Sequence, residues 1–208
     1  MAAASRLRFS ALWQRLGAAG TGAGAFDALA GAYGEAGRVY HTLDHVLDCL
    51  ARLDEVEAPP RGRDMVEAAI WFHDVVYDPR RSDNEGSSAE WAGRVLTGAG
   101  VPASSISHIQ DLVRATDHAA EPAEPDAMLL CDIDLAILGR GRQEFAEYQR
   151  RIREEYAWVP ERQYRDGRSR ILSSFLRRSR IYLTDHFHDR YEAIARINLE
   201  RALAELAD

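Results

Sequence analysis

The chain has 208 residues, of which 46% are hydrophobic and 28% charged, the balance of a globular protein with a substantial core. Its 26 basic and 33 acidic side chains give a net charge of −7, which disfavours broad nucleic-acid binding because phosphate needs basic patches. No run approaches the roughly 18 apolar residues that span a bilayer. We therefore expect no membrane partner, a cytoplasmic location and one domain over residues 1–208, and we leave a homo-oligomer open.

Apolar residues recur at helical spacing along most of the chain. This spacing predicts helices over residues 6–16, 25–36, 42–57, 62–77, 84–97, 102–116, 128–138, 142–156, 160–183 and 186–206. Proline and glycine interrupt the pattern, as at Pro59-Pro60 and from Gly98 to Gly100. We find no convincing alternating strand, no repeat and no low-complexity linker. The sequence therefore predicts an all-α protein, a helical bundle in a single domain.

An apolar run from Ala68 to Asp78 carries the adjacent pair His73-Asp74. A buried ionisable pair is costly unless something compensates for the loss of water, and a metal ion often does so. Upstream, the segment Tyr40-His41-Thr42-Leu43-Asp44-His45 offers two more imidazoles. His41 and His45 are four residues apart, so they share one helix face if the helix begins early enough.

Two further carboxylates, Asp132 and Asp134, lie in an apolar run that has no Lys or Arg between residues 127 and 139. Two buried acids are hard to satisfy without a cation or a distant Arg. The sequence therefore predicts a metal site made by His45, His73, Asp74 and either Asp132 or Asp134. Such a mixed nitrogen and oxygen set suits a divalent Mn, Fe, Co, Ni or Mg ion better than a closed structural zinc site.

The two cysteines, Cys49 and Cys131, lie among apolar neighbours. We interpret both as reduced thiols of the core, because free cysteine is among the most buried residue types.

The ordered pattern His … His-Asp … Asp resembles the HD superfamily of metal-dependent phosphohydrolases. The similarity extends to a bacterial group of HD phosphohydrolases without an assigned substrate. It runs through residues 38–45, 71–78, 83–85, 115–118, 131–139 and 192–199, and thus spans nearly the whole chain. The resemblance implies an HD-domain-like helical bundle that hydrolyses a phosphate ester.

The segment from Tyr40 to His45 also resembles the Tyr-His-Asn-x-x-His element of cyclic-nucleotide phosphodiesterases, although Thr42 stands where that element has Asn. By this similarity His41 is the proton donor and His45 a metal ligand. In the same comparison the ligand Asp is followed by Leu, which favours Asp134 over Asp132 and keeps Asp132 as the alternative.

These residues suggest a mechanism for the hydrolysis of a small phosphorylated metabolite or nucleotide. The metal would acidify a water, Asp74 would bridge or orient that water, and His41 would protonate the leaving oxygen. Glu85 could bind a metal water, or it could be only an acid favoured at a helix start. Arg38 could meet the substrate phosphate with its fork of donors, and His118 could join a second metal or the phosphate.

Two other classes of protein stay open. In a non-catalytic metal- or nucleotide-binding helical module the ligands would remain, but His41 and Glu85 would have no role. A purely structural helical protein would hold no metal, and the paired carboxylates of the apolar run argue against it.

Overall fold

The structure is a computed structural model that describes residues 2–57 and 62–207. In the described ranges the chain forms α-helices and one 3₁₀ helix and no strand, which confirms the all-α prediction. The helices are α1 (Ala2–Arg15), α2 (Ala23–Tyr33), α3 (Leu43–Asp54), α4 (Arg63–Phe72), α5 (Asn84–Gly98), α6 (Ala103–Ala115), α7 (Pro125–Asp134), the 3₁₀ helix (Leu135–Gly139), α8 (Arg142–Glu155), α9 (Glu161–Leu176) and α10 (Asp185–Ala207). None of these helices combines the length and hydropathy needed to cross a membrane.

The chain divides into two compact units, Met1–Cys131 and Asp132–Asp208. In the first unit, α4 packs against α1, α3, α5 and α6. Every residue of α4 from Val66 to Phe72 is buried, including Glu67, whose carboxylate pairs with Arg8 and Arg15 of α1. Phe9 and Phe26 pack edge-on against Trp71 of this helix, with ring centroids 5.3 and 6.0 Å away.

In the second unit, α10 packs against α9 and against the 3₁₀ helix, which also contacts α8. Asn198 of α10 donates two hydrogen bonds of 2.9 Å to the carbonyls of Leu138 and Arg140. Tyr182 donates a third hydrogen bond, also of 2.9 Å, to the carbonyl of Leu135. The two bonds from Asn198 satisfy carbonyls left over where the 3₁₀ helix ends.

The single-domain and cytoplasmic predictions stay predictions.

Helix α4 ends at Phe72 and not at residue 77, so His73 is its C-cap residue and Asp74 lies in the turn that follows. Tertiary partners take the backbone groups that a longer helix would use. The amide of Asp74 donates to the Tyr33 hydroxyl (3.3 Å), and the carbonyls of Asp74 and Val75 accept from Arg38 (2.6 and 2.9 Å). The predicted helix therefore stops just where it delivers His73 and Asp74 to the interior.

Candidate metal centre

His45 and His73 meet in the interior of the first unit, as the sequence predicted. Both are buried, His45 in the first turn of α3 and His73 at the end of α4. Their Nε2 atoms lie 3.1 Å apart. The Oδ2 atom of Asp74 lies 3.0 Å from Nε2 of His73 and 3.7 Å from Nε2 of His45. Two ring nitrogens and one carboxylate oxygen therefore converge on a single point.

The tautomer of a neutral His73 follows from its other ring nitrogen. Nδ1 of His73 lies 2.8 Å from the carbonyl oxygen of Ile70, which can only accept a hydrogen bond. Nδ1 must therefore carry the proton, and the lone pair of a neutral ring is at Nε2, facing Asp74 and His45. A carbonyl bond at the far nitrogen is the usual support of a metal-ligating histidine.

The carboxyl group of Asp74 needs positive charge beside it. Burial by itself raises its pKa, but the charge and hydrogen bond of His73, with the charges of His41 and His45, hold the pKa well below its ordinary value. Asp74 is therefore ionised. Its anionic oxygen cannot rest stably against the lone pair of a neutral His73, so either imidazolium rings or a cation must supply the compensation.

Cys49 joins this cluster, which the sequence analysis missed. Its Sγ atom lies 3.8 Å from both ring nitrogens of His45. One ligand atom from each of His45, Cys49 and His73 lies within 4.8 Å of the others, close enough to hold a metal ion. The signal was present in the sequence, since Cys49 follows His45 by four residues on the same helix face.

Cys131, by contrast, is a core thiol as predicted. It is buried, and its Sγ donates a hydrogen bond of 3.3 Å to the carbonyl of Ala115.

His41 lies before α3, which begins at Leu43, so the condition for a shared helix face with His45 is not met. Thr42 is the N-cap residue of α3 and has an extended backbone (φ −115°, ψ 178°). The His41 ring instead stacks on Tyr77, with centroids 4.1 Å apart, and its centroid is 6.0 Å from that of His45. His41 thus stands beside the cluster through contact with the turn after α4.

Arg38 organises the backbone around the cluster. Its side chain is only 3% exposed, and besides Asp74 and Val75 its guanidinium donates to the carbonyl of His41 (3.3 Å). It therefore ties together the two segments that carry His41 and Asp74. The prediction that Arg38 binds a substrate phosphate stays a prediction.

Glu85 lies within electrostatic range of both Asp74 and His118. Burial, followed by repulsion from Asp74 and Asp117, raises the pKa of Glu85, while His118 and its own backbone lower it. His118 has a left-handed backbone with φ of 54°, which costs a non-glycine residue about 1 kcal/mol. Strained residues of this kind concentrate at functional sites. The catalytic role of Glu85 and the substrate role of His118 stay predictions.

Asp132 and Asp134 belong to the second unit. Asp132 is fully buried, and its two oxygens accept hydrogen bonds from the Leu183 amide (2.8 Å) and from the amide and hydroxyl of Thr184 (2.7 and 2.6 Å). Burial raises its pKa to about 6 against the opposing effect of these bonds. The segment before α10 thus satisfies Asp132 without a cation. The expectation that two buried carboxylates need a cation therefore no longer applies to Asp132.

Asp134 is the last residue of α7 and is half-buried. Its role as the fourth ligand stays a prediction.

No family model, no curated protein and no solved structure matches this chain. The fold and the cluster define an all-helical protein with a candidate metal centre. The resemblance to the HD superfamily stays a prediction.

Proposed function

We propose that this protein is a metal-dependent phosphohydrolase of the HD type, which cleaves a small phosphorylated metabolite or nucleotide. The observation that carries the proposal is the convergence of Nε2 of His45, Nε2 of His73 and Oδ2 of Asp74, with the His73 lone pair directed inward by the Ile70 carbonyl. His45, His73 and Asp74 would hold the ion together with Cys49, and Asp74 would also neutralise part of its charge.

The donor set narrows the choice of metal. Two imidazoles and a thiol suit Mn, Fe, Co, Ni or Zn better than Mg, which prefers oxygen ligands. The sequence-based argument against zinc depended on a set of nitrogen and oxygen ligands, and Cys49 adds a sulfur ligand to that set. Asp134 remains the fourth ligand predicted from the sequence.

When bound, a divalent ion at this position supplies a Lewis acid that acidifies water and polarises a phosphoryl oxygen. The neighbouring histidines lower the pKa of Asp74 and favour its ionised form, so its carboxylate can orient a water by accepting a hydrogen bond from it. His41, held by its stack on Tyr77, would donate a proton to the leaving oxygen. Arg38 keeps His41 and Asp74 in register by holding the backbone of both segments.

The substrate phosphate would approach from the side of Glu85 and His118. His118 offers a nitrogen donor near Glu85, and a phosphate there would be attracted by His118 and repelled by an ionised Glu85. The burial that raises the pKa of Glu85 favours its protonated form, in which it could donate a hydrogen bond to phosphate.

A turnover assay with matched variants tests the proposal. Purified protein is stripped with a chelator, resupplied with Mn²⁺, and screened for phosphate release from phosphomonoesters, nucleotides and cyclic nucleotides. We expect Asp74→Asn to lower kcat about 10–100-fold, because the amide neither balances the charge of the ion nor orients the water as a carboxylate does. Asp166→Asn, at an exposed position of α9, should leave kcat unchanged.

The outcomes separate the classes of function. Turnover that depends on both Mn²⁺ and Asp74 supports the phosphohydrolase. Bound metal without turnover on any substrate of the screen would favour the non-catalytic binding module. Turnover that is equal in Asp74→Asn and the wild type would overturn the proposed mechanism.

A further inference from the structure

A second group of metal-ligand side chains lies in the first unit, away from the residues assigned above. His108 is on α6, Glu124 precedes α7, and Asp126 is in the first turn of α7. One ligand atom from each of these three residues lies within 4.8 Å of the others. The group shares no residue with the cluster of His45, Cys49 and His73, so it forms a separate candidate site.

Asp126 gives this group a property that an ordinary surface pair lacks. It is 5% exposed, and its Oδ1 atom has no hydrogen-bond partner in the part of the chain that the structure describes. Its Oδ2 atom lies 3.0 Å from Nε2 of His108. A buried carboxylate oxygen without a partner is unfavourable, because it has lost its hydrogen bonds to water and made none in the protein. A cation bound by this carboxylate would recover that loss.

Glu124 is oriented by the start of α7 and keeps a free oxygen. Its Oε2 atom accepts a hydrogen bond of 2.9 Å from the amide of Ala127. This bond fixes the side chain and leaves Oε1 available as a ligand. A carboxylate fixed in this way loses less side-chain entropy when it binds an ion.

Gly62 leaves room beside the Asp126 carboxylate. A Cβ atom added to Gly62 would overlap Oδ2 of Asp126. The buried carboxylate therefore depends on the missing side chain at the start of α4.

We propose that His108, Glu124 and Asp126 form a second binding site for a divalent transition-metal ion of the Zn²⁺ type. One imidazole and two carboxylates are a ligand set that such ions accept, with the remaining positions taken by water. Glu124 is exposed, so the ion has access from solvent. The proposal does not depend on the phosphohydrolase function, because it involves different side chains.

Metal counting on the full chain tests this second site. Chelator-stripped protein is dialysed against a fixed, low free concentration of Zn²⁺, and the ions bound per chain are counted by mass spectrometry. We expect Glu124→Gln and His108→Gln to bind one ion fewer per chain than the wild type. Glu121→Gln, an exposed acid of the same loop, should bind as many as the wild type. Glutamine at position 124 can still accept the Ala127 amide bond, so the start of α7 is preserved.

A third variant distinguishes metal bound by the first cluster from metal bound at the second site. His73→Ala should lose an ion that Glu124→Gln retains, and the double variant should lose both. If His73→Ala changes nothing while Glu124→Gln loses an ion, the proposed phosphohydrolase centre fails and the second site stands. If Glu124→Gln and His108→Gln bind as many ions as the wild type, the second site is wrong and the three residues form only a hydrogen-bonded group.

Discussion

The chemistry of the first cluster depends on how each nitrogen of His73 is used. The Ile70 carbonyl holds the proton on Nδ1 of a neutral ring, so Nε2 faces Asp74 with its lone pair. The carbonyl is free for this purpose because α4 ends at Phe72. A helix that ends at the right residue therefore both positions His73 and sets its tautomer.

A bound metal should shield Cys49 from thiol reagents. The Cys49 sulfur lies beside His45, and a thiolate that ligates a metal is no longer a free nucleophile. Alkylation of Cys49 is followed at a low denaturant concentration, which allows local opening. With added Zn²⁺ or Co²⁺, we expect this alkylation to slow at least about tenfold, since ligand binding suppresses local opening by mass action. Peptide mass spectrometry measures the rate for each cysteine.

Cys131 is the internal control for this measurement. It is equally buried but donates to a backbone carbonyl and lies outside the cluster. Equal metal protection of both thiols would indicate only general stabilisation, and protection of neither would contradict a ligand role for Cys49.

The pair of histidines could be predicted from the sequence, but Cys49 as a further ligand could not. His45 and His73 each lie in a strongly apolar, periodic segment, so their burial and approach follow from the helical pattern. Cys49 is as compatible with plain core packing as with ligation, and only its distance from His45 separates the two. The burial of Asp132 was predicted, but its hydrogen-bond partners were not. These partners, Leu183 and Thr184, are about fifty residues away, and no local sequence pattern predicts them.

At the scale of the helices, the contact between the 3₁₀ helix and α10 requires a glycine. A Cβ atom added to Gly139 would lie 2.5 Å from Cβ of Tyr191 and 2.7 Å from its carbonyl oxygen. We therefore expect Gly139→Ala to lower the free energy of unfolding by about 1–3 kcal/mol, because backbone on α10 cannot move aside cheaply. Urea unfolding followed by circular dichroism measures the change.

Gly141 provides the comparison. A Cβ atom there meets only the side-chain oxygen of Glu144, at 3.5 Å. Gly141→Ala should cost less than about 1 kcal/mol, the usual cost of alanine at an N-cap position, since Gly141 is the N-cap residue of α8. Equal effects at both positions would show that the close approach to Tyr191 does not limit stability.

The helix ends were harder to predict than the helices themselves. The apolar period continues past Phe72 and past Leu176, so the sequence extended α4 to residue 77 and α9 to residue 183. In the structure, side chains distant in sequence claim the backbone of those turns. Tyr33 and Arg38 do so after α4, and Glu192 accepts the amides of Ile181 and Tyr182 after α9. This competition comes from residues that are distant in sequence, so the local spacing of apolar residues does not reveal it.

At the scale of the whole chain, Glu192 should make stability depend on acid pH. Burial raises the pKa of Glu192, but the amides of Ile181 and Tyr182 and the guanidinium of Arg196 outweigh burial and lower the pKa below its ordinary 4.5. The folded state thus prefers the ionised form. The resulting stabilisation is complete above pH 4.5 and is lost as the pH falls through the lower folded-state value.

We expect Glu192→Gln to reduce the free energy of unfolding by about 1–3 kcal/mol at pH 7, since a charged acceptor is replaced by a neutral one. The difference from the wild type should shrink steadily between pH 5 and pH 3. Glu200→Gln, at an exposed position of α10, should show neither effect. A Glu192→Gln deficit that is the same at all pH values would contradict the lowered pKa. Urea unfolding at each pH measures it.

The all-α class was predictable because it depends on many residues at once. Ten segments with apolar residues at helical spacing and the lack of alternating runs all indicate helices. An error at one position therefore does not change the predicted fold class. The function depends on few atoms. The carbonyl of Ile70 and the position of Asp74 decide which nitrogen of His73 is directed at the cluster, and neither contact can be deduced from composition or helical spacing.

The central claim is that His45 and His73 hold a metal ion, and metal content tests it most directly. Wild-type protein, His73→Ala, His45→Ala and His188→Ala are expressed together, and the bound metal is measured after extensive dialysis. His188 is a half-buried histidine of α10 outside the cluster. The account predicts one ion fewer per chain in His73→Ala and His45→Ala, each still folded by circular dichroism, and wild-type content in His188→Ala. Equal metal content in all four proteins would contradict it.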